Sequence, residues 1–355
     1  MGISFGTPVS TGNLVEPRPS ETDNSDLQNP GGFVISLDFE LHWGIRDHCT
    51  VGQYRENLLG VRKTIPAMLQ LFERYGIHAT WATVGFLFFT NIDDLRAAIP
   101  AELPHYQHPN LDPYAALSEV GRNEDEDPFH FAPTLIRKIL ASEGQEVATH
   151  TLSHFYALAP GPTLDSFRAD LRGAQFAANQ YDVVLRSIVF PRNQISRQHV
   201  RICAEEGLIA YRSTEADPLI GAGNGAIARA RRLADAYLKL GSDGCVTPAL
   251  DTEYNIVRVS QSRFLRPWRP ALKAFEAMRL RRICESMSEA ARNNRTFHLW
   301  WHPHNFGSHL DENMTVLTRI VEHYAHLQRE LGWMSLTMGE VAENVLRVEK
   351  PHCVA

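Results

Sequence analysis

The stretch "SLDFELHW", residues 36–43, sets two carboxylates and a histidine at alternate positions of a run that otherwise reads as a buried strand. Side chains alternate faces along a strand, so Asp38, Glu40 and His42 are expected to point to one side. The plain explanation of an isolated D-x-E-x-H is a polar sheet face turned to water. Whether it holds here depends on the rest of the chain.

From residue 32 onward, short apolar runs alternate with amphipathic segments. "GFVISLD", "IHATWATVGFLF", "GQEVATH", "RSIVFP", "GLIAYRS", "YNIVRVS", "TFHLWWH" and "WMSLTM" are strand candidates. Helical patterns occupy residues 54–75, 163–180, 196–206, 270–291 and 311–329. This β/α rhythm predicts one barrel-like α/β domain over residues 31–349 rather than a sandwich. Two stretches break the rhythm, near 91–132 and 214–252. Insertions of that length are often functional lids, and His105, His108 and Asp112 could reach over a site from the first.

The chain has 355 residues, 44% of them hydrophobic, enough for a substantial core. A formal net charge of -6 gives no electrostatic footprint for nucleic acid, and no stretch is long and apolar enough to span a membrane. Five widely spaced cysteines, an odd number without C-x-x-C, favour a reducing compartment. Residues 1–30 lack the pattern of a signal peptide, so the expected location is cytoplasmic. They read as a polar, proline-containing arm, either mobile or packed on a neighbouring subunit, which leaves a homo-oligomer open. Residues 350–355 read as a tail.

The chemistry concentrates at strand ends. In "GQEVATHTLSH", His150 and His154 follow an apolar strand as H-x-x-x-H, and both imidazoles can face one point where a zinc-like divalent ion would bind. Two histidines alone underligate a metal, so a carboxylate from elsewhere is needed. Asp38 and Glu40 could supply one ligand and one base, since strand ends converge in barrels. "TFHLWWHPHNFG" ends another strand with His302 and His304, either of which could act as a general acid, whereas His298 lies inside the run and reads as core. Trp300 and Trp301 read as core, with one of them, Trp301 foremost, able to line a sugar-binding floor. Arg263, Arg266 and Arg269 with Trp268 in "SQSRFLRPWRP" could bind a substrate phosphate or carboxylate, or could simply form the exposed start of a helix.

Taken in order, these motifs resemble the NodB-like polysaccharide deacetylases, carbohydrate esterase family four, across most of residues 32–345. The family's paired acids correspond to "SLDFE", its second strand to "ATWATVG", its metal motif to "GQEVATHTLSH", its arginine loop to "VFPRNQ" and its late histidine to "LWWHPH". Here Phe39 separates the two acids, giving a D-x-E variant. The resemblance implies a single distorted (β/α) barrel with inserted loops, binding one divalent metal ion, with Zn2+ the leading candidate. It implies Asp38 as base, Glu40, His150 and His154 as metal ligands, His302 as acid, and Arg192 as the residue orienting the base. The implied activity is metal-dependent removal of an N-acetyl group from an amino sugar or saccharide precursor. Hydrolysis of another carbon–nitrogen bond, such as a formamide or cyclic ureide, is the alternative on the same fold. An inactive carbohydrate-binding protein is a third.

Overall fold

The computed structural model describes residues 31–214, 235 and 244–349. The N-terminal arm, most of the 214–252 insertion and the C-terminal tail lie outside the described residues. Ten strands form one sheet: β1 (Gly32–Phe39), β2 (Ala79–Thr83), β3 (Gln145–Thr149), β4 (Ser187–Ile188), β5 (Ala210–Thr214), β6 (Ala249–Asp251), β7 (Ile256–Gln261), β8 (Arg263–Phe264), β9 (Phe297–Trp301) and β10 (Met334–Leu336). Every residue of β1 is buried because the strand is covered on both faces, the condition of a parallel sheet flanked by helices. Its neighbours are β2 on one edge and β9 on the other, both parallel. β10 shares the β2 edge, pairing with Gly32–Val34 below the start of β2.

The order β5-β4-β3-β2-β1-β9 is that of a barrel wall, and one segment joins its ends. β7 runs beside β5 as far as the pair Thr214↔Gln261. Just beyond, at Arg263↔Leu299 and Phe264↔Trp300, the same extended segment has become β8 and runs beside β9. The switch of partner at Ser262 closes the wall. β6 is antiparallel to β7 and lies outside it.

Around the strands run α1 (Val51–Tyr75), α2 (Ile92–Ala97), α3 (Pro133–Leu140), α4 (Leu164–Asn179), α5 (Arg197–Glu205), α6 (Glu276–Arg292) and α7 (Leu310–Leu331), with α8 (Met338–Glu349) at the end of the chain. α1 starts in a capping box between Thr50 and Gln53 and stops at Gly76, whose φ of 60° costs a glycine little. α8 plugs the bottom of the barrel. Its Met338, Val341, Ala342 and Val345 pack on the inward residues Val34, Ala82, Val189, Ala210, Val257 and Val259. Above that apolar plug β1 presents, in period two, Ser36 and then Asp38, and Glu40 follows just past the end of the strand. The interior therefore changes from apolar to charged over three residues of one face.

α1 also fixes the turn after β9. The Asn57 amide donates to the His304 carbonyl and to Ser308 Oγ, both at 3.0 Å. Gly60 lets the two backbones touch, since a Cβ there would fall 2.1 Å from the Gly307 carbonyl oxygen. Gly60→Ala is accordingly expected to cost about 1–3 kcal/mol through overpacking. Because the displaced turn carries His302 and His304, activity should fall with the melting temperature, and a thermal melt beside a rate measurement checks both.

Candidate metal and active site

The site lies at the C-terminal ends of the strands, where loops from separate strands converge. Glu40 follows β1 directly. Its Oε2 is 3.2 Å from His150 Nε2 and 3.2 Å from His154 Nε2, and all three residues are buried. The His150 Nδ1–H donates to the Val189 carbonyl at 2.8 Å, which leaves Nε2 as the free lone pair. Among the described residues, neither nitrogen of the buried His154 has a hydrogen-bond partner. Burial lowers the His154 pKa to about 4 despite the neighbouring Glu40, so the ring is neutral. Burial also pushes the Glu40 carboxyl upward, but His302 and the close approach of the His150 and His154 rings hold it well below its ordinary value. An ionised carboxylate, a lone pair with a fixed tautomer and an orphaned imidazole are a donor set suited to a divalent transition metal. Gly44 makes room for the Glu40 carboxylate, because a Cβ there would fall 1.9 Å from its carboxyl carbon.

Asp38, two residues earlier, has a different partner. Both its oxygens accept from Arg212, Oδ1 from Nη1 at 2.6 Å and Oδ2 from Nη2 at 2.8 Å. Arg212 also donates to Ser36 Oγ and to Asn193 Oδ1, and its guanidinium lies 4.3 Å from the centre of the Trp300 ring. Burial raises the Asp38 carboxyl, yet the charges of Arg212 and His150 and the Arg212 hydrogen bond outweigh it and hold the group below the usual carboxylate value. His302 Nε2 faces both acids, 3.7 Å from Asp38 Oδ2 and 3.5 Å from Glu40 Oε1. Its ring stacks on that of His304 at 5.1 Å. Burial pushes the His304 pKa down to about 3, so this second ring stays neutral.

These groups open into a cavity of about 430 Å³, lined among others by Asp38, Glu40, His150, Tyr54, Trp300 and His302. Its wall is aromatic, with the Phe264 and Trp300 rings 4.7 Å apart.

Four expectations need correction. Arg192 does not reach Asp38. It pairs with Asp47 at 2.7 Å and with the Gly44 carbonyl at 3.1 Å, and Arg212 takes the place expected for it. Trp301 is fully buried and stacked on Phe306, on the opposite face of β9 from the cavity, and the wall residue is Trp300. Arg263 is turned toward the buried Asp235 rather than the cavity. His42 leaves the face of Asp38 and Glu40 because β1 ends at Phe39, Leu41 takes a φ of 46° and residues 41–44 form a tight turn. Its Nδ1 meets His130 Nε2 and its Nε2 the Cys49 carbonyl, both at 2.9 Å. His105, His108 and Asp112 are not among the cavity-lining residues.

Arg212 and Trp300 each had a signal in the sequence. An arginine at the end of the apolar run "GLIAYRS" suggests that a buried anion is needed, but does not say which one. Trp300 shares strand parity with His302, whereas Trp301 does not.

No protein-family model and no curated protein matches the sequence. Comparison with solved structures shows the fold. A protein named as a polysaccharide deacetylase from Mycobacterium smegmatis superposes with a TM-score of 0.57 at 14% identity, over 97% of this chain and 99% of that one. One from Pseudomonas aeruginosa PAO1, similarly named, gives 0.55 at 11% identity, over 92% and 94%. Puue allantoinase gives 0.52 at 10% identity, over 96% and 100%. The architecture is thus the NodB-like one shared by deacetylases and an allantoinase.

Proposed function

We propose that the chain is a metal-dependent hydrolase that removes an N-acetyl group from an amino sugar or saccharide precursor in the cytoplasm. The observation that carries this reading is the division of labour between two acids on one strand face. Glu40 sits against two imidazoles, and Asp38 sits against a guanidinium. Glu40, His150 and His154 would hold the ion, with Zn2+ matching the nitrogen-rich set. When bound, such an ion supplies Lewis acidity, which acidifies water and polarises an acyl carbonyl.

The chain's own groups do the rest. Asp38, kept ionised and oriented by Arg212, accepts the proton of the attacking water. His302, whose Nε2 faces the same space, delivers a proton to the departing nitrogen, so the products are a carboxylate and a free amine. His304 backs the His302 ring, and Trp300 and Phe264, with rings inclined at 52° to each other, offer an aromatic wall to the apolar side of a sugar.

A second reading is hydrolysis of a cyclic ureide, supported by the full-length likeness to an allantoinase. Elemental analysis of untreated protein, paired with an acetate-release screen over N-acetylated sugars, separates the two. Bound metal with acetate release supports the deacetylase. Ring opening of a ureide without acetate release would replace it.

A further inference from the structure

The turn that carries His150 and His154 is gripped from behind by a carboxylate that the chemistry above does not use. Asp170, on α4, is 1% exposed. Its Oδ1 accepts the Leu152 backbone N–H at 2.7 Å, and its Oδ2 accepts the Ser153 hydroxyl. Leu152 and Ser153 are the two residues immediately before His154. Within the same turn Thr151 and His154 have φ values of 65° and 60°, which residues bearing a Cβ adopt only where surrounding bonds enforce them.

Several bonds enforce them. The amides of Thr151 and Phe155 donate to Thr149 Oγ1 and Thr151 Oγ1, and the Thr151 and Leu152 carbonyls accept from the amides of Gly85 and Phe86. Of these partners Asp170 alone is a carboxylate. The 91–132 insertion covers the same turn: the Tyr106 hydroxyl accepts the Tyr156 amide at 3.0 Å, and the Tyr114 ring packs edge-on against Phe86.

In metal centres a ligating histidine is usually aimed by a hydrogen bond at its other ring nitrogen. His150 has that bond, to the Val189 carbonyl. His154 Nδ1 has none, so the direction of its ring depends on the backbone beneath it. We infer that Asp170 is a positioning residue for the metal centre, aiming His154 by holding the Leu152–Ser153 backbone, and so setting the affinity for a divalent cation. This rests on the metal reading above.

The test is zinc affinity of the full chain, measured by competition with a chromophoric chelator. Asp170→Ala is expected to weaken zinc binding by about 10- to 100-fold, the range seen when the support behind a ligand is removed. Asp170→Asn keeps an acceptor for the Leu152 amide and should lose less. Leu171→Ala, at the neighbouring buried position of α4, serves as control and should lower the melting temperature without changing zinc affinity. Wild-type affinity in both Asp170 variants would overturn the inference. So would an equal loss in Leu171→Ala. If Asp170→Ala does not fold, Asp170→Asn decides the matter. A wild-type chain that takes up no zinc removes the metal reading as well, whereas tight wild-type binding with unaltered Asp170 variants removes only this one.

Discussion

Asp38→Asn is expected to leave the metal content unchanged and to cut turnover by about 10²- to 10⁴-fold, the usual contribution of a positioned general base. The substituted amide keeps the size of the side chain but cannot take a proton from water. His150→Ala should give the opposite pattern, emptying the site, because one of the three proposed ligands and its fixed lone pair are gone. Metal analysis of the two purified variants beside their rates separates base from ligand. If Asp38→Asn emptied the site and Glu40→Gln did not, the two acids would have exchanged roles. A pH profile adds a sign. Asp38 is held below its ordinary pKa by Arg212 and His150, so the acid limb of the rate profile should lie lower than that of a free carboxylate.

Arg212→Ala carries the second large effect, and it acts on stability first. The side chains of the pair are 1% and 4% exposed, so removing the guanidinium strands a carboxylate in the interior. Breaking a buried pair in this way costs about 3–5 kcal/mol. The variant should melt well below the wild type, and Arg212→Lys should recover only part of the loss, because an ammonium cannot meet both Asp38 oxygens as a fork does. The pH dependence of the wild type follows from linkage. The folded-state pKa of Asp38 is depressed, so its contribution is fully present above the unfolded value and is lost as the pH falls through the folded one. Chemical denaturation at neutral and at acid pH measures this, and Arg212→Ala should show the smaller difference between the two.

The eight strand candidates correspond to β1, β2, β3, β4, β5, β7, β9 and β10, and what they had in common was a short apolar run bounded by a turn or an amphipathic helix. β6 and β8 have three and two residues and leave no such pattern. The short α2 and α3 likewise passed unread within and beside the insertion. His150 and His154 stood out by their H-x-x-x-H spacing and Glu40 by the family resemblance, and the structure brings the three side chains together. Arg212 did not stand out, since its partner lies 174 positions away and nothing local in "AYRS" names it. The arginine nearest the expected motif, Arg192, has the right chemistry but serves the exposed rim around Asp47. Choosing Trp301 over Trp300 was an error of parity, and extending period two to His42 assumed a strand that had already ended.

The partner switch at Ser262 has a consequence for the order in which the molecule is made. β1 leaves the ribosome early with both acids, and β2 to β5 can line up on it as they emerge. The opposite edge of β1 must wait for β9, more than two hundred and fifty residues later. A nascent chain that has not reached residue 297 therefore holds Glu40, His150 and His154 on an unclosed wall and still lacks His302. Its uncovered β1 edge is a hazard shared by long-range parallel pairings, which form late and leave strands exposed to aggregation. The proposed hydrolysis thus has to wait for β9, at the step that shields that edge.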